Sequence, residues 1–252
     1  MNAAGLLAAQ RVVPVVVIDD ADDAVPLAKT LLSSGLDAIE VTLRTNAGLE
    51  SIERIATEVP GMLVGAGSVR RAAQIAEVKS AGAVFAVSPG SSDALLEAAA
   101  DAKLPFVPGA VTASEMLKLL DLGYTLQKFF PAELSGGAAF LKAVSAPIPE
   151  VSFMPTGGIG PDNATDYLSL PNVACIGGSW IAPPGLLRAK DFDAIAELAT
   201  AAVDLTATSV SGSRWASPRS SRTSRQRRSG IPSANLCRAI RLHSCRAVPS
   251  RR

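Results

Sequence analysis

Thr125-Leu126-Gln127-Lys128-Phe129-Phe130-Pro131-Ala132-Glu133 places a lysine near the end of an apolar, strand-like run that a proline stops. Gly123, a helix stop, precedes the run, and residues 137–144 behind it are spaced as a helix. The stretch therefore reads as one buried strand between two helices. Two readings of Lys128 are open at this point. Its stem can lie along the core while the ammonium reaches water. Alternatively, apolar surroundings disfavour the charged form, and a neutral amine there can attack a ketone and form a Schiff base.

The same alternation extends in both directions. Apolar, β-rich runs fall at 12–18, 37–43, 62–66, 83–87, 105–107, 125–130, 151–154 and 173–176. Helical spacing follows them at 24–34, 48–58, 72–81, 91–102, 114–121, 137–144 and 161–169, with a last helix over 191–203. Gly35, Pro60-Gly61, Gly82 and Gly123 punctuate the series. Strands alternating with helices, without consecutive hairpins, predict an α/β fold with a parallel sheet and helices outside. Eight such units at this length fit a single (β/α)8 TIM barrel, with a doubly wound sheet as the alternative.

Charge divides the chain. Residues 1–206 carry 13 Lys and Arg against 23 Asp and Glu, while residues 207–252 carry 11 Arg, no Lys and no acid. The first part is predicted to be the barrel domain. It has no basic stripe suited to nucleic acid. The second, with runs such as Ser217-Pro218-Arg219-Ser220-Ser221-Arg222, reads as a disordered Arg/Ser-rich tail. A basic arm for nucleic acid is one reading of it. The other is a frameshift product appended to a protein whose own frame ends near 203–207. Cys175 lies in the apolar run Val173-Ala174-Cys175-Ile176 and reads as a small buried hydrophobe; Cys237, Cys245 and the sole histidine, His243, fall in the tail. Chemistry needing a body histidine is thereby excluded. Residues 1–10 show no signal peptide and no run is long enough to span a membrane, so the expected location is cytoplasmic.

Barrel sites form at the C-terminal ends of strands. Glu40 interrupts an apolar strand, which is costly without a partner or a task. An ion pair with a nearby cation and a catalytic role are both compatible with it. Arg44 lies four residues on, with a fork suited to carboxylate or phosphate. Gly65-Ala66-Gly67-Ser68 and Ser88-Pro89-Gly90 end the third and fourth strands, as tight turns or as close backbone approaches to a ligand. Gly157-Gly158 and Gly177-Gly178 follow the seventh and eighth, where such barrels commonly hold phosphate on backbone N–H groups.

The stretches VVPVVVIDD, IEVTLRT, VGAGSV, FAVSPG, KFFPAE, FMPTGGI and CIGGSW occur in this order over about residues 10–200. Together they resemble the 2-keto-3-deoxy-6-phosphogluconate (KDPG) and 4-hydroxy-2-oxoglutarate (KHG) aldolases, class I aldolases of the Entner–Doudoroff type. The resemblance implies a homotrimeric lyase without metal or other cofactor, cleaving KDPG to pyruvate and glyceraldehyde 3-phosphate. KHG and the phosphogalactonate epimer are the alternative substrates that it leaves. On this resemblance Lys128 forms the imine and Glu40 moves protons. Arg44 and Ser68 hold the pyruvate carboxylate, with serine standing where the family usually has threonine. Pro89 and Phe130 wall the site, and Thr156, Gly157, Gly158, Gly178 and Ser179 receive the phosphate end.

Overall fold

A computed structural model of the protein describes residues 3–209, with side chains through residue 206. Among these residues are eight parallel strands: β1 (Val12–Val16), β2 (Ala38–Thr42), β3 (Leu63–Gly67), β4 (Phe85–Val87), β5 (Phe106–Val107), β6 (Leu126–Phe129), β7 (Ser152–Pro155) and β8 (Ile176–Gly178). Six form one sheet in the order β5-β4-β3-β2-β1-β8, and β6 pairs with β7 in a second. Single parallel bridges link the two: Gly109 to Lys128 on one side, Phe153 to Val173 and Thr156 to Gly177 on the other. The sheet is thus parallel and curled. β1 pairs with β8 through residues 12–14 and with β2 through residues 15–16, so Pro14, which has no N–H to donate, falls where the partner changes.

Among the described residues, ten α-helices connect and cover the strands: α1 (Ala3–Leu6), α2 (Ala24–Ser33), α3 (Gly48–Glu58), α4 (Ala72–Ser80), α5 (Asp93–Ala102), α6 (Ala113–Asp121), α7 (Gly137–Val144), α8 (Ala164–Leu168), α9 (Pro184–Arg188) and α10 (Phe192–Ser209). Local chemistry sets several of their starts. Ser92 Oγ accepts from Leu95 N ahead of α5. Before α6, Thr112 Oγ1 accepts from Glu115 N while Glu115 Oε2 accepts from Thr112 N at 2.8 Å. The bond from Thr112 N, and then one from Val111 N to the same oxygen, hold the Glu115 carboxyl below its ordinary range.

The alternation along each strand divides the core in two. Residues pointing outward, such as Val16, Ile39, Val64, Ala66, Phe129 and Phe153, pack under the helices in the larger cluster. Residues pointing inward form a second cluster: Val13, Ala38, Phe85, Val87, Val107, Leu126 and Met154 from six of the strands, Cys175 just before β8, and Leu63 of β3 packed beside them. The short α1 and Leu7 cap this cluster at the N-terminal ends of the strands. Burial pushes the Cys175 thiol up to about 12.

Two expectations from sequence are corrected. The eighth strand runs over Ile176–Gly178 rather than 173–176, because Val173 makes only a single bridge to Phe153 before the chain enters register with β1. The last helix continues to Ser209 rather than stopping at 203. The short helices α1 and α9 were not expected: each has too few residues to show a period. The expected disordered tail, with its cysteines and histidine, lies outside the described residues beyond Ser209. Among the described residues no helix is long and apolar enough to cross a membrane.

Candidate active site

Above the inner apolar cluster, toward the C-terminal ends of the strands, the inner face turns polar. Glu40 on β2 is fully buried, and Lys128 on β6 is 5% exposed. Their strands are not neighbours, yet Lys128 Nζ donates to both carboxylate oxygens of Glu40, at 2.9 Å to Oε1 and 3.3 Å to Oε2. Two charges held this far from water are tolerable only because each is the other's partner. Sequence reading left Glu40 with either an ion pair or a catalytic task. The geometry joins the two, since its partner cation is the lysine singled out as a nucleophile. The Phe130 ring lies beside the ammonium, 5.8 Å from its centroid to Nζ.

The remaining predicted residues lie in or just after the strands, with these contacts. Arg44, just past β2, donates from Nε to Ser68 Oγ at 3.0 Å. Ser68 follows β3 with φ +57°, a left-handed conformation uncommon outside glycine and enriched where function constrains the backbone. Pro89 lies against Gly109, the residue that bridges to Lys128. On the other side, a Cβ on Gly157 would meet the Phe130 ring at 3.2 Å, so this loop packs on the residue after β6. Backbone bonds fix it there: Ala132 N donates to Thr156 O and Glu133 N to Gly157 O. Gly157 and Gly158 have φ of +98° and +79°, which glycine adopts at little cost. Thr156 is buried, and its Oγ1 has no hydrogen-bond partner within the described residues. A buried hydroxyl without a partner marks a place where a ligand or water is expected. Gly178 ends β8 under the Trp180 ring, and Ser179 stands exposed beside it.

Sequence reasoning did not give the part that four residues play in this arrangement. Gly67 and Gly177 owe their importance to neighbours: a Cβ on Gly67 would lie 2.2 Å from Glu40 Oε1, and one on Gly177 would lie 2.2 Å from Thr156 Oγ1. Glu133 and Tyr167 were the others. The buried Tyr167 hydroxyl on α8 donates to Glu133 Oε1, tying the segment after β6 to the helix after β7. Burial first, and then this bond, push the Tyr167 phenol well up. The glycine pairs were visible in sequence; the tyrosine gave no signal, being one aromatic in a short helix.

Proteins of known name and solved structure are similar to this chain in sequence and in fold. The chain is 53% identical over 192 residues to the 2-dehydro-3-deoxy-phosphogluconate aldolase of Pseudoalteromonas atlantica, covering 76% of this chain and 89% of that protein. It is 47% identical over 203 residues to the KHG/KDPG aldolase of Escherichia coli K12, covering 81% and 95%. The crystal structure of KDPG aldolase from Legionella pneumophila, with pyruvate captured as a covalent carbinolamine, superposes with a TM-score of 0.78 at 43% identity, over 80% of this chain and 98% of that one. These similarities place the chain among the carbon–carbon lyases of aldolase type. More narrowly, residues 4–198 match the KDPG and KHG aldolase family, and the chain belongs to it.

Proposed function

We propose that the protein is a Schiff-base aldolase that cleaves KDPG to pyruvate and glyceraldehyde 3-phosphate, with Lys128 as nucleophile and Glu40 as the proton-moving group. The observation that carries this reading is the buried Lys128–Glu40 pair, with both oxygens within 3.3 Å of Nζ. The amine attacks the C2 ketone to give a carbinolamine, and loss of water gives an iminium. That cation is a stronger electron sink than the ketone. Glu40 takes the C4 hydroxyl proton as the C3–C4 bond breaks, and the aldehyde departs. The bond's electrons remain as an enamine on C3. Protonation there and addition of water release pyruvate and restore the lysine.

Arg44 and Ser68, already hydrogen-bonded, are suited to the substrate carboxylate, which a planar guanidinium binds in a fork. Pro89 and Phe130 wall the reacting carbons. Thr156, Gly157, Gly158, Gly178 and Ser179 receive the phosphate: the unpartnered Thr156 hydroxyl and the glycine backbone support this end. The bridges on both sides of β6–β7 support closure of the eight strands into a (β/α)8 barrel. We take residues 1–206 as the catalytic unit, the family match ending at 198. We place it in the cytoplasm as a homotrimer, by analogy with the family.

KHG is the second reading, favoured by the dual name of the Escherichia coli relative. The galactonate epimer is a third keto acid for the same site. Reduction with borohydride in the presence of pyruvate tests the mechanism. A mass gain on the peptide containing Lys128 supports it, and a protein that turns over without one refutes it. Cleavage of KDPG, its galactonate epimer and KHG, assayed side by side, ranks the substrates.

A further inference from the structure

We infer that Gly67 is a positioning residue for Glu40, acting through the space its missing side chain leaves. The inference rests on the reading of Lys128 and Glu40 as the reacting pair. β3 presents two inward glycines, and neighbouring strands fill the room above both. A Cβ on Gly65 would meet the Phe85 ring at 2.2 Å, and one on Gly67 would meet Glu40 at 2.2 Å from Oε1, 2.6 Å from Cγ and 2.7 Å from Cδ. These distances are well inside van der Waals contact.

Gly67 is not among the glycines of positive φ, so what it supplies is room rather than an unusual backbone. Its backbone is also held in place. Gly67 is in register with Thr42, and its carbonyl accepts from Leu43 N at 2.9 Å. A side chain at position 67 would therefore press on the Glu40 side chain, the movable partner, more than on the strand. Retreat is limited, because Glu40 is fully buried and stands in register with Gly65, above which the Phe85 ring sits. The oxygen nearest Gly67 is Oε1, the one that accepts from Lys128 Nζ at 2.9 Å. Gly67 thus fixes how the carboxylate addresses the lysine, without touching substrate itself.

The test is Gly67→Ala in the full chain, read against Glu40→Ala. Acting through Glu40, the substitution lowers kcat by about 10- to 100-fold and leaves KM within about threefold. In the Glu40→Ala background the same change lowers kcat by less than about twofold, because the group it acts on is gone. An equal loss from Gly67→Ala in both backgrounds, or a folded Gly67→Ala protein with parental kcat, overturns the inference. If the single variant does not fold, melting temperatures decide. The Gly67→Ala/Glu40→Ala protein then melts close to Glu40→Ala alone, and a double variant that also fails to fold counts against the inference. Borohydride trapping on the parent keeps the two questions apart. Absence of a Lys128 adduct defeats the catalytic reading, whereas the melting-temperature coupling still reports whether Gly67 makes room for Glu40.

Discussion

The inner face of the sheet has two layers, built by the same strands a few residues apart. Toward the N-terminal ends, Val13, Ala38, Phe85, Leu126, Met154 and Cys175 fill space with apolar atoms. Toward the C-terminal ends, Glu40, Lys128 and Thr156 fill it with polar ones, and Gly67 and Gly177 leave the room those groups occupy. β2 contributes Ala38 to the first layer and Glu40 to the second; β6 contributes Leu126 and then Lys128. Both layers are buried. Burial therefore does not by itself distinguish scaffold from site. The distinction lies in what the buried atoms offer: dispersion contacts below, and an amine and a carboxylate in mutual reach above.

The contrast breaks most sharply at Lys128. Lys128→Met keeps volume in the upper layer but removes the amine, so turnover and the borohydride adduct should both vanish. It also leaves Glu40 buried without its cation, a situation that costs about 3–5 kcal/mol and lowers the melting temperature. Glu40→Gln retains shape and loses the proton acceptor; kcat should fall by on the order of 10² to 10⁴ while the lysine remains present to be trapped. In the lower layer the effect should appear as stability. Met154→Ala is expected to cost about 2–5 kcal/mol in denaturant unfolding and to leave kcat within about threefold at temperatures where the protein stays folded. Cys175 sharpens the comparison from the opposite direction. With its thiol pushed up to about 12, almost none is thiolate in the folded protein at lower pH. Near pH 8.5, the ordinary thiol value, iodoacetamide should label the Cys175 peptide only after unfolding. The smallest effect belongs outside both layers: a chain stopped at Ala207 should keep the parental kcat and melting temperature.

Much of this was readable in the residues because the relevant signals are local. The helices Gly48–Glu58 and Gly137–Val144 fall where the spacing of apolar residues puts them. Gly35 and Gly82, both at positive φ, end helices where the sequence marks stops. The eighth strand was misplaced by three residues because Val173 and Ile176 belong to one apolar run, and only pairing with β1 selects which part becomes strand. Lys128 and Glu40 each stood out as a charge in an apolar strand, and the strand-end rule brought them to one face. Their contact is a tertiary fact that neither strand carries alone. That Gly67 and Gly177 make room for Glu40 and Thr156 was hidden for a related reason. A glycine advertises a turn through its own φ, but nothing in its own segment reveals that a distant side chain needs its space.

The two members of the pair are 88 positions apart in sequence. β2 and β6 must each find their neighbours before Nζ and the carboxylate can meet, and closing so long a loop is an entropic cost that only late, non-local contacts repay. A chain that has formed β1 to β5 but has not yet docked β6 has the carboxylate and lacks its amine. Pyruvate with borohydride, applied during refolding, should therefore mark only molecules in which Lys128 has reached Glu40, making the reactive lysine a chemical clock for that contact.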